Sequence, residues 1–490
     1  MTLAVARRGP RPPGRSVTRL VSLELRRSTM VWMLPVVAGL FWYNAFRESM
    51  ALPPLWNLRA MAMQQSILLD FVPPVVGAAA WLGSREGRHR MGDLIAGTPR
   101  SGWTRRLVAW AACTCWAEAA YLGCVGVLYG VTAGQAPWGG PLWWPAAVGA
   151  VGIPAISALG FVVGVFLPHR FTVPLTILAV FFGLGFGLYP IHTTPSYWQV
   201  DPLWAPPNAS VATFYPYRPD LPIAQVIFLI GLTAALLGVV GLPGAGRWPR
   251  RVAVCLGAVG IASAATSVLL VGTSRPDGHG MTLIPALHDS ADDRPVPYTP
   301  VCGRTAIRVC VHPAHAAYLP VVTDALGPVL SELAGVPGAP LTVEETAPVF
   351  RQRGDDVVVG GGGPRTVGGR PEIGLVVPDT LPGEYGMTTA EFTRAVASSA
   401  GLDLISTVVG RTPHPGPAQR AVTMALLTVA GIDGGRMAAR PAENGLPSPG
   451  SPEFDAARRF AALPFSTRHA WLVAHAAALR AGRLTLRDLP

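Results

Sequence analysis

Seven apolar stretches, at about 30–46, 63–83, 107–131, 142–167, 171–189, 222–243 and 252–272, dominate the first half of this 490-residue chain. Crossing the hydrocarbon core of a bilayer takes ~20 predominantly apolar residues, roughly 17–25. Half of all residues are hydrophobic, only 14% are charged and fourteen are tryptophan, which points away from an ordinary soluble enzyme. The expectation is a polytopic α-helical membrane protein with 6-7 transmembrane helices, followed by a soluble α+β domain. The first stretch lacks a small-residue cleavage site, and Trp32, Phe41, Trp42 and Tyr43 suit a retained span with an aromatic interfacial end better than a secretory signal.

Charge orients these spans. All 39 basic residues are arginine, and with abundant Ala, Gly and Pro this bias suggests a high-GC bacterial source. Residues 1–29 hold seven Arg against Glu24, and residues 84–106 hold six Arg against Glu86 and Asp93. Arg170 and the three arginines of "GAGRWPRR" mark two further basic turns, whereas 132–141 carries no charge and 190–221 only Asp201, Arg218 and Asp220. Positive charge gathers in cytoplasmic loops, so the N-terminus is expected inside and, after an odd number of spans, the C-terminal part outside. The expected organisation is a basic cytoplasmic N-terminus (1–29), a transmembrane domain (30–272), a linker (273–300) and an extracytoplasmic α+β domain (301–490). The expected location is the bacterial cytoplasmic membrane, multi-pass. The basic character then records membrane orientation and contact with the lipid bilayer, and no nucleic-acid partner is expected.

The absence of lysine excludes a Walker A loop, which needs Lys to reach the β/γ-phosphates. If ATP drives this protein, another chain hydrolyses it. Between the second and third spans, Ser84 is a candidate helix N-cap, Met91, Leu94 and Ile95 share one helical face, and Gly97-Thr98-Pro99 stops the helix. The segment reads as a short amphipathic helix at the membrane surface; the plainer alternative is a basic loop that only anchors topology.

The order Glu86, Arg88, Arg90, Gly92, Asp93, Leu94, Ile95, Thr98, Pro99, with the basic segment "SLELRRS" near the start, resembles the permease subunit of an export-type (type-2) ABC transporter over residues about 16–245. The resemblance implies a coupling helix at about 84–99 that docks on a separate ABC ATP-binding subunit. It also implies pairing as a homodimer, or as a heterodimer with a second permease, and short helices dipping into the outer leaflet within residues 190–222. No residue of this chain would then do covalent chemistry, and no cofactor or metal is expected. The alternative is a membrane-anchored binding or sensing protein whose extracytoplasmic domain is the functional part.

Asp70 and Glu118 are carboxylates at membrane depth, where charge is costly and normally faces a bundle interior or a cavity. Both are expected to face the inter-helix interior, with a structural hydrogen bond or a neutral acid as the alternative, and Pro73-Pro74 is expected to kink the second span. Cys302 and Cys310 are the soluble part's one cysteine pair and a disulfide candidate for an oxidising compartment, with unpaired thiols or a metal site as alternatives. In the C-terminal part, strands are expected at "AIRVCVHP", "LTVEE", "DDVVVG" and "EIGLVVP", and helices at 318–333, 389–409, 417–430, 452–462 and 467–481. Gly360 to Gly363 are expected to link two strands as a hairpin. The order of 309–345 is faintly similar to the start of a gluzincin-type metallopeptidase domain, but the helix that would carry His-Glu-x-x-His contains no His.

Overall fold

The computed structural model describes residues 13–46, 53–88, 101–185, 200, 211–242, 247–276, 282–289, 293–353, 356–360, 363–367, 370–378, 387–412, 414–431 and 446–490. The first half is a helical bundle. An amphipathic helix α1 (Pro13–Arg27) turns by 52° into the apolar α2 (Met30–Phe46). There follow α3 (Trp56–Arg88), α4 (Gly102–Gln135), α5 (Trp143–Phe166), α6 (Thr172–Gly185), α7 (Asp220–Val240) and α8 (Arg247–Gly272). Five helices, α3, α4, α5, α7 and α8, are long and apolar enough to cross a membrane, and α1 with α2 makes a sixth if the bent pair is one span. The stretch at 171–189 yields only the 14-residue α6 among the described residues, so a full fifth span is not seen there.

Ser84 does not begin a helix. It lies inside α3, its hydroxyl donating to the Trp81 carbonyl at 2.9 Å, because the helix of the second span continues to Arg88. α3 continues through Pro73-Pro74 as one helix with a local irregularity. Pro74 has no N–H for the Asp70 carbonyl, and the chain absorbs the mismatch in a π turn, Ile67–Phe71, closed by Val72 N–H donating five residues back to Ile67.

Where no water competes, helices associate by close backbone approach and buried polar contacts. α3 and α5 meet through glycine: a Cβ on Gly164 would lie 2.2 Å from the Ala80 carbonyl oxygen, and one on Gly160 2.6 Å from that of Val76. α7 and α8 meet in the same way, Gly231 against the Gly260 carbonyl and Gly238 against Gly257. Thr114 and Ser157 share a buried hydroxyl hydrogen bond of 2.9 Å between α4 and α5.

The C-terminal part builds one mixed sheet covered by helices. Strands β1 (Val301–Cys302), β2 (Arg308–Val311), β3 (Thr342–Glu345), β6 (Gly363–Val367) and β7 (Arg370–Leu375) lie in the order β1-β2-β3-β7-β6. β2, β3 and β7 are parallel, and the two edge pairings are antiparallel. β4 (Val349–Arg353) and β5 (Asp356–Gly360) form a separate hairpin. Gly360 and Gly363 therefore end one sheet and begin another; the expected hairpin is absent because β5 pairs back with β4 and β6 forward with β7. Helices α9 (Leu319–Leu333), α10 (Thr389–Val409), α11 (Pro417–Val429), α12 (Pro452–Ala461) and α13 (Phe465–Arg480) supply most of the core, including Leu326, Phe392, Ile405, Phe460 and Leu472. α10 opens with the expected capping box of Thr388 and Glu391. Buried Arg468 on α13 donates through two nitrogens to Glu332 on α9 and through a third to the Ala461 and Leu463 carbonyls, which ties three helices at one point.

Replacing Gly164 with Val should displace α5 from α3 and cost at least 1–3 kcal/mol by overpacking, whereas Gly123→Val, where nothing lies within 4 Å, should be tolerated. Thermal unfolding of the detergent-purified chain measures both, and equal melting temperatures would contradict the close α3–α5 approach.

Candidate functional site

The two ends of the bundle differ in chemistry. At one end α1, the last turn of α3 and the start of α4 are fastened together. Arg85 donates to both oxygens of Glu24 at 3.1 and 3.4 Å, and Arg106 Nε donates to Glu86 at 3.2 Å. The Arg88 guanidinium lies 3.6 Å from the centre of the Trp81 ring and donates to the Trp81 carbonyl. Trp116 and Trp103 donate indole N–H groups to the Leu25 and Leu237 carbonyls. Half-exposed ion pairs of this kind are worth about 0–1 kcal/mol each, so they set position more than stability. Ser101 Oγ accepts from Thr104 N–H and caps α4. The segment 89–100 thus leaves and re-enters a firmly joined three-helix base. Glu86 and Arg88 belong to that base; Arg90, Gly92, Asp93, Leu94, Ile95, Thr98 and Pro99 lie outside the described residues.

Within the bundle, Asp70 is 1% exposed and its Oδ1 accepts from Asn44 Nδ2 at 2.5 Å. It occupies the π turn and lines a cavity of about 150 Å³ between α2, α3 and α4. Glu118, half-buried on α4, does not line that cavity and makes no hydrogen bond or ion pair among the described residues. The two carboxylates therefore do not form one site.

The opposite end carries the C-terminal domain. Cys302 and Cys310 stand directly across the β1–β2 ladder and are joined by a disulfide, which replaces the free-thiol and metal alternatives for that pair. Two residues beyond Cys310, the ring of fully buried His312 is enclosed by Trp138 from the α4–α5 connection, Phe214 from the segment before α7 and Tyr298 from the linker, with centroids at 4.4, 5.0 and 4.2 Å. Glu345, 2% exposed, holds this point from below, one oxygen accepting from His312 N–H at 2.7 Å and the other bonding His315 Nδ1 at 2.6 Å. Among the described residues no three or more His, Cys, Asp or Glu side chains converge as a metal site needs.

The linker is part of this joint. Val296 N–H donates to the Phe214 carbonyl, Ile284 N–H to buried Asp220, and Arg218 pairs with Asp293, which also bonds His288. A cavity of about 190 Å³, lined by Trp56, Trp138, Tyr217 and Ala314 among others, lies beside it.

No local sequence pattern brings His312 and His315 to Glu345. The signal that locates them is topological: parallel β2 and β3 are joined through α9, so the residues following their C-terminal ends emerge side by side. A histidine just after one strand then meets a glutamate ending the next.

His312 Nδ1 accepts from Ala314 N–H and caps the following 3-10 turn, so the neutral ring carries its proton on Nε2. Burial, with His315 adding to it, holds the pKa down at about 4 against an ordinary 6.5. Between those values the unfolded chain binds the extra proton and the folded one does not, so stability is complete above about pH 6.5 and falls as pH drops towards 4. Thermal unfolding of the full chain across that window should show a steeper loss for the natural chain than for His312→Phe; parallel curves would contradict the buried neutral ring.

No protein-family model, curated protein or solved structure matches this chain, so its functional reading rests on its own geometry.

Proposed function

We propose that the chain is the membrane-spanning, permease-like subunit of an ATP-driven exporter, with the arginine-rich end facing the cytoplasm and the C-terminal domain outside. The carrying observation is the jointed base formed by Glu24, Arg85, Glu86 and Arg106. A partner pressing on the 89–100 segment would act at once on α1, α3 and α4, and α3 runs unbroken past the Asp70 cavity to the other end of the bundle. This chain contains no lysine, so the force comes from closure of a separate ATP-binding subunit. The likeness of 86–99 to a coupling helix supports the same reading, as does the gathering of Arg85, Arg88 and Arg106 at the bundle end away from the C-terminal domain, since positive charge in membrane proteins concentrates in cytoplasmic loops. Such a subunit works as a pair, with a second copy or a second permease.

A second reading has its own observation. The aromatic enclosure of His312 binds the C-terminal domain to two connections of the bundle, which also suits a membrane-anchored binding or sensing protein whose C-terminal domain receives the ligand.

Co-expression with the ATPase encoded nearest to this chain, followed by purification, separates the two. The permease reading expects a stable complex whose ATP hydrolysis falls severalfold with Arg88→Glu or Asp93→Arg. A chain that purifies alone, beside an ATPase indifferent to both substitutions, would leave the sensing reading.

A further inference from the structure

The cavity beside Asp70 holds an imbalance of charge. Asp70 Oδ1 has its partner in Asn44, but Oδ2 is buried with no hydrogen-bond donor among the described residues. A buried carboxylate oxygen left without a donor is costly, and at membrane depth no bulk water relieves it. The cationic side chain on the same wall is already engaged: Arg59, eleven residues earlier on α3 and so about 16 Å along the helix, donates to Thr132 and Gln135 on α4 at 3.1 and 2.8 Å. The rest of the wall is mixed. Phe41, Met63, Leu69 and Leu128 are apolar, and Gln65 and Ser66 add polar groups. A space of about 150 Å³ is the size that admits a single benzene-like ring.

We propose that this cavity binds a small amphipathic amine, with its ammonium on Asp70 and its apolar part against Phe41, Met63 and Leu128. The ammonium supplies the donor that Oδ2 lacks, in a charge-assisted hydrogen bond, and an aromatic wall favours a cation further. The π turn is what brings Asp70 to the cavity, since it re-registers α3 just ahead of Pro73-Pro74; such turns recur at ligand sites. The binding claim requires a membrane-embedded bundle but no ATPase, so it stands or falls separately from the permease reading.

Equilibrium dialysis of the full chain in detergent micelles, with empty micelles subtracted, tests it at pH 7.5 using benzylammonium and its neutral counterpart benzyl alcohol. The natural chain should hold benzylammonium at least tenfold more tightly than benzyl alcohol, the scale of one hydrogen bond to a charged group. Asp70→Asn should erase that preference while leaving benzyl alcohol unchanged. Equal retention of both probes by the natural chain would show an apolar cavity beside a protonated acid and overturn the proposal, whether or not the variant folds. Retention of neither probe, or a preference that survives Asp70→Asn, would overturn it as well.

Discussion

A hydrocarbon interior offers a backbone carbonyl, a hydroxyl or a carboxylate no partner except the protein itself, and the first half of this chain is arranged around that constraint. Helices satisfy the backbone internally, glycines let α3 approach α5 and α7 approach α8 closely, and Thr114 and Ser157 satisfy each other. Asp70 and Glu118 apart, charge gathers at the ends, where Arg85 of α3 pairs with Glu24 of α1 and Arg106 of α4 with Glu86 of α3. Against that background an incompletely satisfied Asp70 stands out, because most other polar groups inside the bundle have been given a partner.

The same constraint explains why the C-terminal domain sits where it does. Its attachment is a cluster of rings, Trp138, Phe214, Tyr298 and His312, of which all but Phe214 pair an apolar body with a polar atom. Glu345 fixes the histidines from the sheet side, and the linker is held through Asp220, Arg218 and Asp293. The result is a domain joined to the bundle at several points. The disulfide closes the short β1–β2 ladder next to this joint.

Much of the fold was legible in the sequence because its signals are local. Apolar runs of sufficient length marked the long helices, and the Thr388–Glu391 capping box placed the start of α10 to the residue. What failed depended on neighbours. Ser84 has the side chain of an N-cap, yet the preceding helix was stable enough to run through it to Arg88. Gly360 and Gly363 flank a turn-like stretch, but β6 finds its partner in β7 and β5 in β4. The proline pair after Asp70 marked a local irregularity, and the form it takes, a π turn just upstream, depends on how the chain redistributes its hydrogen bonds. Of the candidate site, Asp70 was visible as a charge out of place, whereas the His312–Glu345 contact depends on parallel strand pairing across 33 residues of chain, which no local pattern announces.

The central claim is that the arginine-rich end and the C-terminal domain face opposite sides of a membrane. Reporter fusions after residues 245 and 300, each active on only one side, test it most directly. The account predicts a cytoplasmic reporter at 245, beside the arginines that open α8, and an extracytoplasmic one at 300, at the threshold of the disulfide-bonded strands. Reporters on the same side at both positions would contradict it, since α8 would then not cross and the two ends of the bundle would share one compartment.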